Sequence, residues 1–363
     1  MSIVLGLGFG DEGKGLTTSY LCSQTKDPIV VRFNGGHQAG HTVVYDGHRH
    51  VFSSFGSGTL QGAETFWSRF CTVYPVAFMN EYRALPESVR KTLKISMDRM
   101  CPVTLPLDLD VNHIEEVRNL HGTVGVGFGA TIDRCEKHYN LYVQDLLFDD
   151  VWTAKVAEIA TYLIKTNKLM QCNMKYVTEK MEGFVLAVKQ MLDIVEIVGE
   201  PYLHDKEHRL IFEGAQGILL DKDFGFFPNV TRSNTTSKQA FEMNPWAKEI
   251  YYVTRCYQTR HGAGFMTNES ELNLMNNEKE TNKENLYQGK FRTGDLDINL
   301  LKYALTCDMN YSQDIRKNLV ITCIDQLKGA DPEKLRDWLR STVDFDKVFI
   351  SEGPSLTDIK QIK

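Results

Sequence analysis

The chain opens on a short unbroken apolar run, residues 2–7, which predicts a buried strand. A glycine-rich loop at residues 8–15 follows, and residues 16–23 continue as a helix, so the first elements are strand, loop and helix. A second apolar strand is predicted at residues 28–33, ending in Asn34, Gly35 and Gly36. From about 151 to 199, segments such as 156–164 and 184–198 space apolar residues three and four apart, which predicts a helical insertion serving as scaffold. Strands at 209–213 and 249–254 each run into a polar or glycine-rich turn, GAQG and RHGAG, where open α/β sheets usually bind ligands. A strand at 318–324, a helix at 332–340 and a strand at 347–350 running into SEGP complete the pattern. The polar, Asn- and Glu-rich stretch 268–285 is expected to be a mobile surface loop. No internal repeat or linker divides the chain. The expectation is one α/β domain over residues 1–363, P-loop-like, with a mostly parallel central sheet and helical and loop insertions.

Composition narrows the function classes. Hydrophobic residues make up 42% of the 363, enough for a large core. The 41 Lys and Arg against 47 Asp and Glu give a net charge of -6, and no run of five like charges occurs, which argues against broad nucleic-acid binding. The eight cysteines are scattered without a CxxC pair, the usage of free thiols in a reducing cytosol. No leader pattern and no apolar stretch near 18 residues appears, so the chain is expected to be neither exported nor membrane-spanning. The expected place is the cytoplasm, that of the host if the source is viral.

Three clusters carry chemistry. Gly8-Phe9-Gly10-Asp11-Glu12-Gly13-Lys14-Gly15 has GxxxxGK spacing between a strand and a helix, so backbone N–H groups and Lys14 can cradle a phosphate. Gly15 stands where Ser or Thr usually binds Mg²⁺, which moves that duty to a loop carboxylate, Asp11 or Glu12, or elsewhere. The second cluster is Asn34-Gly35-Gly36-His37-Gln38-Ala39-Gly40-His41-Thr42, whose loop histidines at a strand end suit proton transfer. The third is FEGAQG at 212–217, followed by Asp221 and by VTRSNTT at 230–236, which packs hydroxyls and amides around Arg232.

Together these clusters resemble the adenylosuccinate synthetase family, whose members carry a GDEGKG loop, an NGGxNAGHT loop, an EGAQG segment and a VTxSNTT segment. The matches here are residues 10–15, 34–42, 212–217 and 230–236. Weaker ones, CPVTLP at 101–106, GTVGVGFG at 122–129, TRHGAG at 259–264 and RTGDLD at 292–297, keep the family's order over nearly the whole chain.

The resemblance implies a reaction: a nucleoside triphosphate phosphorylates the 6-oxygen of a purine nucleotide, and L-aspartate then displaces that phosphate through its amine. It implies Asp11 as the base on N1 and His41 as the proton donor between O6 and the phosphoryl group. Mg²⁺ is expected on Asp11 and the Gly40 carbonyl. Triphosphate contacts are expected from Gly10, Glu12, Gly13, Lys14, Gly15, Gly40 and Thr42, with Asp325, Gly353 and Pro354 near the base. Asn34, Thr123, Gln216 and Thr231 are expected on the purine nucleotide. A homodimer is implied, with no nucleic-acid or membrane partner.

The departures from the family pattern matter too. The segment that reads guanine, TKxD, is Thr322-Cys323-Ile324-Asp325, which weakens the case for GTP against ATP. The aspartate loop TTGRxRRxG is shortened, leaving Lys290 and Arg292 for the two carboxylates. The arginine that reaches a neighbouring subunit's nucleotide falls at His138, and Arg232 can compensate from within the chain. These losses favour the short phage PurZ branch, which adds aspartate to dGMP, although Asp11 is retained where that branch commonly has a smaller residue. The alternatives are IMP as acceptor and, from another class, a P-loop switch without ligase chemistry.

Overall fold

The structure, a computed structural model, describes residues 1–119, 122–166, 168–169, 174–276, 278, 280, 282 and 289–363. Its spine is a ten-stranded sheet built from β1 (Ser2–Gly6), β2 (Ile29–Arg32), β5 (Glu64–Trp67), β6 (Ile95–Asp98), β7 (Glu196–Val198), β8 (Leu210–Gly217), β9 (Glu249–Arg255), β12 (Arg316–Thr322), β13 (Lys347–Ser351) and β14 (Ile359–Gln361). The order is β14-β13-β12-β9-β1-β8-β2-β5-β6-β7, and every pairing is parallel except that of β13 with β14. Two hairpins stand outside it: β3 (His41–Tyr45) with β4 (His48–Phe52), and β10 (Gln258–His261) with β11 (Phe291–Gly294).

The unbroken apolar runs follow from burial on both faces, since successive side chains in a strand point to opposite sides. Ile3 and Leu5 of β1, Ile29 and Val31 of β2, Leu210 and Phe212 of β8, and Leu319 and Ile321 of β12 join one core. The residues between them, Val4, Val30, Ile211 and Val320, join a second core on the other face with Leu16 and Leu21 of the helix Lys14–Ser23. Burying each such side chain contributes about 1.5–3 kcal/mol relative to exposure. A third core, including Trp67, Phe78 and Phe184, sits among the helices on the β6 side.

The predicted helical insertion is two helices, Asp149–Lys165 and Met174–Leu192. Its last stretch departs from the expectation: residues 196–198 form β7, the sheet's edge strand, because Ile194, Val195, Ile197 and Val198 are β-branched. The strand predicted at 318–324 stops at Thr322, where Cys323 turns to a φ of 61° and Ile324–Gln326 forms a single 3₁₀ turn. Part of the stretch 268–285 lies outside the described residues. Of the remainder, Ser270 N–H bonds Thr293 O and Met275 N–H bonds Gln326 O. Seven described cysteines are free thiols, and Cys172 lies outside the described residues. No described helix is long and apolar enough to cross a membrane.

Candidate active site

The sheet order reverses around β1, which lies between β8 and β9, and the loops beyond the carboxyl ends of these strands surround a cleft of about 670 Å³. Twelve of the residues singled out in the sequence line it: Gly10, Asp11, Gly13, Lys14, Gly15 and Gly40 in its floor and rim, with His41, Thr42, Thr123, Gln216, Thr231 and Arg232. Motifs two hundred residues apart thus meet in one place.

The loop after β1 is shaped from beneath by Glu12, which is buried and does not line the cleft. Its carboxylate accepts hydrogen bonds from Gly8 N–H (3.0 Å), Gly10 N–H (2.8 Å) and the Lys14 ammonium. Glu12 therefore organises the loop and balances Lys14 instead of facing a ligand. Gly15 has a steric reason to lack the usual hydroxyl: a Cβ there would lie 2.7 Å from His41 Cβ and 3.0 Å from Ser57 Oγ. The position admits the His41 hairpin only as glycine.

Asp11 has a φ of 66°, an uncommon conformation for a residue with a side chain. Arg255 Nε donates to its carbonyl at 2.6 Å and holds it there. Burial pushes the Asp11 carboxyl up from its ordinary value, opposed by Arg255, His261 and Lys14. His261 Nε2 lies 3.8 Å from Asp11 Oδ2.

His41 is the other reactive group. Its Nδ1 lies 2.7 Å from Glu213 Oε1, and Glu213 also accepts from Ser57 N–H (3.1 Å) and Ser57 Oγ–H. Burial alone would raise the Glu213 carboxyl, but His41, Arg32 and Ser57 together hold it below its ordinary value, so it is charged at neutral pH. A buried carboxylate on Nδ1 fixes the ring's orientation and leaves Nε2 for the cleft. His37 is different: it packs against Tyr74 with centroids 5.3 Å apart, and burial, with Arg32 adding, pushes it down to about 4. It is a neutral core histidine outside the cleft.

At the far end, Glu116 accepts from Gly122 N–H and Thr123 N–H, while Asn112 accepts from Gly127 N–H (3.0 Å) and donates to Thr123 Oγ1 (2.9 Å). These bonds aim the start of the helix Phe128–Glu136 into the cleft beside Thr231 and Arg232. A helix N-terminus with hydroxyls and a guanidinium suits a phosphate. Arg232 is half-exposed and only loosely met by Glu136 (3.7 Å) and Asp133 (3.9 Å).

Several expected contacts lie off the cleft. Asn34 spends its amide on Ala215 O (3.1 Å), Asn234 O (3.0 Å) and Ala215 N–H (2.8 Å), pinning the second motif to the third. Lys290 and Arg292 do not line it; Arg292 bonds Glu269 and Gly264 O, each at 2.8 Å. Asp325, Gly353 and Pro354 do not line the cleft; burial, with the carboxylates of Asp358 and Glu352 adding, raises the Asp325 carboxyl. His138 is exposed at the outer end of the helix Phe128–Glu136. Sequence reasoning gave no role to Glu213, Arg255, His261, Glu116 or Glu280. Glu213 and His261 stood inside recognised motifs, FEGAQG and TRHGAG, and the other three did not.

Comparison with known proteins agrees over the length of the chain. The sequence model of the adenylosuccinate synthetase family matches residues 3–335. The adenylosuccinate synthetase of Picrophilus torridus is 30% identical over 90% of this chain and 77% of its own, and that of Thermoplasma acidophilum 31% identical over 92% and 77%. Among solved structures, the fully ligated adenylosuccinate synthetase of Plasmodium falciparum superposes with a TM-score of 0.81 at 18% identity, covering 99% of this chain and 98% of that one. The cyanophage S-2L succinoaminodeoxyadenylate synthetase PurZ, bound to dGMP and dATP, has a TM-score of 0.66 at 16% identity, covering 99% and 94%. At these identities the two superpositions speak for the fold alone.

Proposed function

The chain belongs to the adenylosuccinate synthetase family of C–N bond-forming ligases, and on that premise we propose that it joins L-aspartate to carbon 6 of a 6-oxopurine nucleoside monophosphate, with IMP as acceptor. A nucleoside triphosphate, GTP or ATP, drives the reaction. The observation that carries this reading is the meeting of the Asp11 carboxylate, the His41–Glu213 pair and Lys14 on one cleft.

Each group has a task its surroundings suit. Asp11, held by Arg255, accepts the N1 proton and makes O6 nucleophilic toward the γ-phosphorus. His41 Nε2–H donates toward the oxygen on which charge develops, and buried Glu213 stabilises the protonated ring. Lys14 and the loop N–H groups position the triphosphate. Gln216, whose Oε1 is buried without a partner, offers an amide to the purine, and Thr123, Thr231 and Arg232 take the 5′-phosphate. In the second step the aspartate amine attacks C6 and the 6-phosphate departs.

Magnesium fits this cleft in the way it usually meets nucleotides, through one or two protein oxygens with the phosphates supplying the rest. Among the described residues no cluster of three His, Cys, Asp or Glu could cage a metal, whereas the Asp11 carboxylate and the exposed Gly40 both face the cleft. Asp11 and the Gly40 carbonyl would hold the ion, which would neutralise phosphate charge.

IMP is preferred over the dGMP suggested by the sequence departures because Asp11 is retained and the relatives near 30% identity are adenylosuccinate synthetases. The dGMP reading keeps one supporting observation: Lys290 and Arg292 do not line the cleft, so neither is placed to reward a ribose 2′-hydroxyl. The test is to supply IMP, GMP and dGMP in turn with L-aspartate, Mg²⁺ and each triphosphate. The ligase reading expects triphosphate cleavage only when acceptor and aspartate are both present. Cleavage indifferent to aspartate would sink it and favour a switch; a clear preference for dGMP would restore the phage-like acceptor.

A further inference from the structure

Two charged groups lining the cleft, Arg255 and Glu280, pair with each other and are assigned no contact with substrate in the reaction as described. Arg255 ends β9. Its Nε is committed to the Asp11 carbonyl, and its Nη1 donates to Tyr257 OH at 2.7 Å and to Glu280 Oε2 at 2.8 Å. The ion pair is nearly closed to water, with side-chain exposures of 8% and 12%. The other oxygen of Glu280 accepts from Asn282 N–H (3.0 Å) and Asn282 Nδ2–H (2.8 Å).

The charges of the cleft make this pair unusual. Lys14 is balanced by Glu12, which lies under the loop. Arg260 is fully buried, bonds the carbonyls of Ala263, Phe265 and Asn229, and acts as a strut. Arg232 lies among the groups suited to a 5′-phosphate. Beside Asp11, therefore, stands a guanidinium whose countercharge is a carboxylate that itself lines the substrate cleft. A triphosphate and a dicarboxylate must both reach Asp11, and each carries oxyanions that match a guanidinium as well as Glu280 does.

We propose that Arg255 is an oxyanion-binding residue of the reaction site and that Glu280 is its internal substitute, exchanged for a ligand oxyanion when substrate binds. That oxyanion is a carboxylate of L-aspartate or a phosphoryl oxygen of the triphosphate. Exchange keeps the guanidinium matched in both states, whereas an unpaired buried charge would be costly. The Nε contact to Asp11 survives it, so the catalytic loop stays in place. The identity of the ligands rests on the ligase reading, but the exchange does not.

The test is calorimetric binding to the full chain and to Glu280→Gln, using L-aspartate in one arm and a non-hydrolysable triphosphate with Mg²⁺ in the other. Removing the competing carboxylate should tighten one ligand roughly tenfold, the scale of one charge-assisted contact, and leave the other within about twofold. The arm that responds names the source of the oxyanion. Adding Arg255→Lys should abolish the gain. Unchanged or weaker binding in both arms overturns the proposal and leaves the pair as a strut. Should Glu280→Gln not fold, Glu280→Asp, whose shorter side chain reaches Arg255 poorly, takes its place under the same expectation. A wild-type protein that forms no aspartate adduct, yet binds triphosphate more tightly after Glu280→Gln, would end the ligase reading and keep this one.

Discussion

Replacing Glu213 by Gln is the most direct probe of the reactive pair. The substitution keeps the shape of the side chain and removes its charge. In the wild type the carboxylate is wholly buried and accepts from the His41 ring and from Ser57. A hydrogen bond to a charged group is worth roughly 1.5–3 kcal/mol, and each 1.36 kcal/mol is tenfold in rate, so kcat should fall about 10- to 150-fold. The acceptor KM should change little, because the pair acts mainly as His41 gives up its proton. Stability supplies a second readout with a definite sign. The Glu213 pKa is depressed below its ordinary 4.5, so its contribution is complete above that pH and is lost as pH falls through the lower folded value. The stability gap between wild type and Glu213→Gln should therefore persist at neutral pH and narrow only below about pH 4.5. Steady-state kinetics with denaturant unfolding across pH measures both. A variant within about threefold of wild-type kcat, equally folded, would refute the assignment of Glu213 to His41.

Asp11→Asn should lose roughly 10²–10⁴-fold in kcat while binding triphosphate measurably; retention of a tenth of the wild-type rate would remove Asp11 from the base role. Burial holds His37 near 4 against an ordinary 6.5, so the unfolded chain takes up its proton first and stability falls as pH drops through that window, by roughly 3 kcal/mol in all. His37→Phe, which keeps the packing on Tyr74, should flatten that part of the pH–stability curve, and an unchanged slope would show that another group sets it. Arg232→Ala should raise the acceptor KM severalfold, whereas His138→Ala should not affect the cleft of its own chain. Acceptor kinetics with the reverse order would place the phosphate anchor at His138.

What the sequence revealed divides along a physical line. Long apolar runs made β1, β2, β8 and β9 legible, as were the glycine-rich turns that follow them, whereas β5 and β6, parallel and just as buried, are four residues each and carry Glu64, Thr65, Ser96 and Asp98, so no apolar run marks them. The β3–β4 hairpin was not, because His48, Arg49 and Val51 are exposed and its alternation is irregular. β7 was hidden because Leu192 closes a helix two residues before the β-branched run begins, and both segments are rich in apolar residues. In the site, residues inside loops were found and their partners were not. His41 and Glu213 are 172 positions apart, and Arg255 and Glu280 are 25 apart. Ion pairs across such separations leave no local periodicity. Asn34 shows the opposite error: a polar residue within a ligand-binding motif is spent joining two loops to each other.

The position of β1 between β8 and β9 has a consequence for how the protein is made. β1 is made about two hundred residues before its first neighbour, residues 210–217, and its second comes only at 249–255. At about 5–20 residues per second, the run Ile3-Val4-Leu5 waits on the order of ten to forty seconds without its place in the sheet. During that wait the Gly8–Gly15 loop has no Arg255 to set Asp11, so a nascent chain cannot gain nucleotide-dependent protection early. Birth order and spatial order are opposed here: the strand made earliest lies between two made much later, and both its edges are paired only when β9 arrives.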